Sequence, residues 1–454
     1  MRASEAQTRA RRSRARRGTT RASGPCCLCV LAVCAAGCTA YDASLLTPAP
    51  AEQSGAPSMS PSGGTGAAEQ GGTGGMSAAV DGGSEEPPFA GQPSLDATLE
   101  APDEDASTTD PPLELPDRKR LTIDESFVDE DLRDFPLWVR LVDDTDLMRA
   151  RADGRSLYFT DAQGQVLDAE IEARDLAAGE LTAWVRVPHV SSSEDTVLYL
   201  YWDDGLDHSA EQSAANVWSA DFEAVFHLSD GRDSSPHARH GENLGSTAAS
   251  GQLGGARGFD GRSYIAVGQG KLPPSTSYTI TAWIRPDLAH CSDYCAVVTN
   301  SRTQSPFQGI ALYVAGVFAP ETTGALGTFE DTTPIEDSWH FSDAHVVTSN
   351  TWSFVALKMQ IDTTGGSAEV SLDGEPWAPL HRPSDGNTTG WQNAPDGHLD
   401  IGRFEGADGF FHEYAGAIDE LRIASSARSA AWIRAEHENQ RSESSFLGVV
   451  TEQR

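Results

Sequence analysis

Short runs of β-branched and aromatic residues, each closed by a turn signal, recur from Leu121 to Ile423, and no long stretch carries the apolar period of a helix. Phe135-Pro-Leu-Trp-Val-Arg-Leu-Val142, Thr196-Val-Leu-Tyr-Leu-Tyr-Trp202 and Tyr278-Thr-Ile-Thr-Ala-Trp-Ile-Arg285 have this character, and Asp153-Gly154, Asp203-Asp-Gly205 and Asp373-Gly374 supply turns. A chain of this pattern can bury its apolar side chains only by stacking sheets, so it predicts an all-β protein built of two β-sandwich domains. The first is expected over 118–207 and the second over 215–450.

Gly416-Ala-Ile-Asp-Glu-Leu-Arg-Ile423 constrains the second domain further. Alternation on a strand points Ala417, Asp419, Leu421 and Ile423 one way and Ile418, Glu420 and Arg422 the other. Asp419 is thereby placed in line with core residues. A buried carboxylate needs a hydrogen-bond donor or a cation, so Asp419 must have a partner. The run Ser429 to Asn439 behind it reads as a short helix.

The first quarter of the 454 residues is of another kind. An arginine-rich start leads to the small apolar run Cys26 to Ala36 and then to Ala35-Ala-Gly-Cys38. This arrangement resembles a bacterial lipoprotein signal over 1–37, and the resemblance implies that Cys38 is lipidated and anchors an exported protein to the cell envelope. From Tyr41 to Asp117 there is no Lys, Arg or His, and Gly, Ser, Ala, Pro and Thr dominate. Such a segment cannot bury enough apolar surface to order itself, so 38–117 is expected to be a disordered tether. Its reach as a coil is about 45–50 Å. The net charge of −34 excludes the basic face that a nucleic-acid partner requires. Of the seven cysteines, only Cys291 and Cys295 lie beyond Cys38, and in an exported chain they read as a disulfide pinning a surface loop.

The order of strands and turns in the first domain, with its Phe-Pro-Leu strand, acidic Glu170-Ile-Glu172 strand, Trp184-Val-Arg-Val-Pro188 and closing Tyr199-Leu-Tyr-Trp202, resembles the bacterial family DUF2341. That resemblance implies no defined mechanism; some members accompany components of energised envelope transport. Glu170, Glu172, Asp161 and Asp168 read as a solvated face, and Trp138, Trp184 and Trp202 as packing residues. In the second domain Phe226-His-Leu228, Asp233-Ser-Ser235, Phe259-Asp-Gly261, Thr279-Ile-Thr-Ala-Trp-Ile284, Leu372-Asp-Gly374, Ile401-Gly-Arg403 and the 416–423 stretch resemble the laminin-G-like, concanavalin A-like sandwich. This resemblance implies a jelly roll, a glycan or envelope-protein ligand, and a structural Ca²⁺ at one rim. The regions of Asp233 and Asp419 would meet there, and calcium takes carboxylate oxygens of this kind. Acceptance of backbone N–H groups by Asp419 is the alternative.

Two function classes follow: a non-catalytic binding protein displayed at the envelope, and a glycoside hydrolase. A retaining hydrolase needs two carboxyl groups about 5–5.5 Å apart. By alternation Asp419 and Glu420 face opposite sides of their strand, and the second domain carries no Glu-x-Asp-x-x-Glu strand. The binding protein is therefore the expectation.

Overall fold

The computed structural model describes residues 117–202, 205–291, 293–302, 309–317, 323–332, 336–362, 366–380, 393–405 and 411–452. The expected signal peptide, Cys38 and all but the last residue of the tether lie outside the described residues.

The fold is all-β with sandwich-type sheets, as the sequence pattern requires. In the small sandwich a sheet of Arg118–Ile123, Thr196–Tyr201, Tyr158–Asp161 and Val166–Leu167 faces a three-stranded sheet of Leu132–Leu141, Glu180–Val190 and Ala169–Asp175. Alternation sends Leu121, Ile123, Leu198 and Leu200 inward to meet Phe135, Leu137, Val139 and Val185. The first sheet has a fifth strand that the sequence reading did not place in it. Leu447–Glu452, expected to close the second domain at 450, pairs antiparallel with Arg118–Ile123. Thr451 fastens it by reaching the buried Lys119 ammonium at 2.8 Å, which also pairs with Asp144 and Asp146 at 2.8 Å.

The large sandwich stacks an eight-stranded sheet on a seven-stranded one among the described residues. Ala415–Ala424 is central to the former, hydrogen-bonded to Gly255–Asp260 on one side and to Ser277–Pro286 on the other, with Phe222–Phe226 joining at its C-terminal half. Ile280, Ile284, Val355, Leu357, Ile418, Leu421 and Ile423 pack inward against Val298, Leu312, Val314, Leu399 and Ile401 of the facing sheet. The disulfide between Cys291 and Cys295, with Cα atoms 5.4 Å apart, belongs to this interior. Cys291 lies in the expected loop between two strands, but Cys295 lies within the strand Tyr294–Ser301, and both cysteines are buried with the core rather than exposed.

The outer face of the eight-stranded sheet is also covered over part of its area, so its central strands are buried almost without interruption. The cover is the helix Ala430–Gln440 and the small sandwich. Ser429 caps the helix by accepting from the Trp432 N–H at 3.1 Å. On one side Trp432 meets Phe135 edge to face, and the Asn439 amide accepts from and donates to the Trp138 backbone at 2.7 and 3.0 Å. On the other side Gln440 accepts from the Trp283 indole at 2.7 Å. The apolar core of the small sandwich thus continues without a break into Trp283, Phe354 and Ala424 of the large one.

Candidate functional site

Along Ala415–Ala424 the side-chain alternation is interrupted. Thr281 lies opposite Arg422 and Trp283 opposite Asp419, so two residue intervals of the neighbouring strand face three of this one. The extra residue is a β-bulge, and Glu420 adopts φ 50°, a left-handed conformation that costs a non-glycine residue about 1–3 kcal/mol. Beyond the bulge the parity is reversed. Leu421 and Ile423 turn into the core with Ile418, while Ala417, Asp419, Glu420 and Arg422 are all left on the outer side. The expected separation of Asp419 and Glu420 onto opposite faces is therefore corrected by the bulge.

One outer face consequently carries two different environments. At its N-terminal half Gly258, Ala417 and Arg285 lie side by side on three adjacent strands. They floor a cavity of about 410 Å³ rimmed by Asp260, Asp287, His290 and Asn350. The floor is low at Gly258 and Ala417, where the side chain is missing or small, and Arg285 borders it. At Gly416 φ is 128° and a Cβ would lie 2.3 Å from the Arg285 carbonyl oxygen, so only glycine fits. The Arg285 guanidinium lies 5.1 Å from the centre of the Trp352 ring and has no ion pair among the described residues. The two acids of the rim are committed elsewhere: Asp287 meets His290 Nδ1 at 2.7 Å, and the Ser263 side chain and N–H, with the Arg262 N–H, hold the Asp260 pKa below the ordinary value.

The C-terminal half is closed under the small sandwich and is filled with charge. His227, just after the strand Phe222–Phe226, places Nδ1 2.9 Å from Glu420 Oε2 and Nε2 3.2 Å from Glu170 Oε2. Glu172 lies 3.9 Å from the same Nδ1. Each acid has a second tether: Trp218 Nε1 and Ser234 Oγ donate to Glu170, Trp184 Nε1 to Glu172, and Arg422 to Glu420 at 2.6 Å. Arg422 also donates to Glu436 of the helix at 2.5 Å, and Trp184 stacks on the imidazole. Glu170 and Glu172 are thus part of the junction and not the solvated face expected of them; their cover comes from residues far along the chain. Burial alone would lower the His227 pKa, but the charges of Glu420, Glu170 and Glu172 outweigh it and raise the group well above its ordinary value. Burial pushes Glu172 up to about 7 and, with the Glu420 charge, Asp419 up to about 8.

Asp419 does have the partner its position demands. Its Oδ2 accepts the N–H groups of Gln252 and Leu253 at 2.8 and 3.0 Å, the alternative raised from the sequence. Asp233 is saturated on its own: it accepts from the N–H groups of Val225, Ser235 and Arg239 and from Ser235 Oγ at 2.7–2.9 Å. Four donors aimed at the Asp233 oxygens present positive charge where a cation would sit at that residue, whereas Asp419 Oδ1 is buried with no hydrogen-bond partner among the described residues. Neither aspartate belongs to either cluster of acidic and histidine side chains that lie close together among the described residues, Glu172 with His227 and Glu420, and Asp124 with Glu125 and Asp195.

Residues 259–434 match the family described as the concanavalin A-like lectin/glucanases superfamily. This part of the chain is a concanavalin A-like domain. Its match contains most of the open groove and the first part of the helix, and the junction joins the domain to the small sandwich. No curated protein matches the chain in sequence. Solved structures that resemble it include domain 4 of AbnA, a GH43 extracellular arabinanase from Geobacillus stearothermophilus, in complex with arabinotriose, at 16% identity, 47% of this chain, 96% of that one and a TM-score of 0.35. The CBM40 of the Ruminococcus gnavus IT-sialidase matches at 12% identity, 43% of this chain, 98% of that one and a TM-score of 0.29. A heptameric SAP-like pentraxin from Limulus polyphemus matches at 13% identity, 40% of this chain, 82% of that one and a TM-score of 0.27.

Proposed function

We propose that the protein is a non-catalytic glycan-binding protein whose ligand lies in the groove over Gly258, Ala417 and Arg285, and that it is displayed at the cell envelope on a tether anchored at Cys38. The observation that carries this reading is the groove itself. It is an open, glycine-floored cavity in a concanavalin A-like domain, rimmed by planar polar side chains whose donors and acceptors suit sugar hydroxyls. The low floor lets a ring approach the backbone, and Arg285, which has no ion pair among the described residues, can donate from its fixed fork. Binding is favoured over hydrolysis because a general acid needs a raised pKa, whereas Asp260 has a lowered one and Asp287 is engaged by His290. Of the carboxyls with raised values, Glu172 and Asp419 are shut inside the junction, and Glu125, Asp400 and Glu413 do not line the groove.

Affinity electrophoresis of the wild-type chain in a panel of polysaccharide gels tests the reading, with reducing ends assayed on the same polymers. Retardation by at least one polymer, weakened about tenfold in Arg285→Ala and without new reducing ends, is the expected result. Reducing ends released by the wild type would make the protein a hydrolase. Replacement of Cys38 by Ser should release the protein from membranes; a wild type already soluble would remove the anchor from the proposal.

A further inference from the structure

The charged junction lies outside the groove and plays no part in the proposed ligand site. It joins the small sandwich, through Glu170 and Glu172, to the concanavalin A-like domain, through Glu420, Arg422 and Asp419, with Glu436 reaching in from the helix behind Arg422. His227 is the only group that touches carboxylates of both sandwiches among these residues.

We infer that His227 is a doubly protonated imidazolium bolt between the two sandwiches, and that their junction is proton-dependent, tight in mild acid and loosened in alkali. The geometry requires two donors on one ring. Nδ1 faces Glu420 and Nε2 faces Glu170, and a neutral imidazole, with one N–H and one lone pair, would leave a lone pair against a buried carboxylate. The charge count points the same way. Five buried or nearly buried carboxyls, Glu170, Glu172, Asp419, Glu420 and Glu436, crowd around the Arg422 guanidinium, with Arg428 acting, among them, on Glu436 alone, so a positive charge on His227 offsets repulsion that would otherwise push the sandwiches apart as they ionise. Trp184 stacked on the imidazole and Trp218 tilted against it shield the bolt from water.

The raised His227 value sets the sign. Its stabilisation is complete below the unfolded value of 6.5 and is lost as pH rises through the folded one. Glu172 and Asp419 act in the same direction: each keeps a proton in the folded state that the unfolded chain has released, so raising the pH toward about 7 and about 8 adds buried negative charge. Glu170, held below its ordinary value, opposes them only at acid pH.

The experiment compares thermal denaturation of the wild-type and His227→Gln chains from about pH 5.5 to about pH 10, each with and without chelator. Buried His412 and His437 titrate in both chains and cancel in the difference. The wild type should melt roughly 6 °C or more above the variant at the acid end, and the gap should close to within about 2 °C at the alkaline end. The part of the tryptophan emission that titrates in alkali should be missing from the variant. Should His227→Gln fail to fold, Glu170→Gln replaces it, with a smaller gap that closes in the same direction. A gap that does not change with pH would reduce His227 to a neutral hydrogen-bonding residue and overturn the bolt. So would a gap that vanishes in chelator and returns with Zn²⁺, which would assign Glu172, His227 and Glu420 to a metal instead.

Discussion

The two halves of the strand Ala415–Ala424 lie on one sheet face and have opposite fates. Ala415, Gly416 and Ala417 are too small to fill the space above them, and a cavity remains. Asp419, Glu420 and Arg422, past the bulge, fill theirs with charge and are sealed by a second sandwich. A binding surface on this sheet is thus made by leaving side chains out, whereas a domain junction is made by pairing side chains that could not be buried alone. The comparison also separates two kinds of mutational effect: changes in the closed half should cost stability, and changes in the open half should cost ligand.

Arg422→Met should produce the largest change. It strands Glu420 and Glu436 without their shared cation, and breaking a buried pair in this way costs about 3–5 kcal/mol. Denaturant unfolding reads that loss directly; a cost below about 1 kcal/mol would mean that the network is slack. Ala249→Trp places a large ring in the groove from the edge hairpin. Polysaccharide retention should fall at least tenfold while stability stays within about 0.5 kcal/mol of the wild type, since the site is a surface one. Retention left intact by this variant would move the ligand elsewhere. The smallest effect is that of calcium. Neither chelator nor added calcium should shift the melting temperature by more than about 1 °C, because the Asp233 oxygens already have their donors. A larger rise with calcium would restore the cation between Asp233 and Asp419.

Much of the fold was legible because local signals and global architecture agree. Alternation in Val355, Leu357 and Met359 and in Ala368 and Val370 marks two strands that do pair antiparallel, and Asp373-Gly374 turns the second of them toward Ala378–Pro379. Asp419 was likewise legible as a carboxylate in need of a partner. The bulge after it was not, because the left-handed residue is Glu420, where glycine or asparagine would have signalled the break. Glu170 and Glu172 alternate as exposed acids do, and what buries them arrives from His227 and Glu420, set by tertiary packing alone. Phe226-His-Leu228 stood out in the sequence, yet nothing local tells that the histidine between two core residues faces another domain. The groove was invisible for a further reason: it is defined by small residues from separate strands, and an absence of side chains leaves no pattern.

Hydrogen–deuterium exchange of the wild-type chain, with and without the polysaccharide that retards it most, tests most directly the claim that the open half binds and the closed half holds. Added protection is predicted over Gly255–Asp260 and residues 415–417, with exchange at Glu170–Glu172, His227 and Glu420–Arg422 unchanged. Protection concentrated at the junction, with none over the glycine floor, would contradict the account.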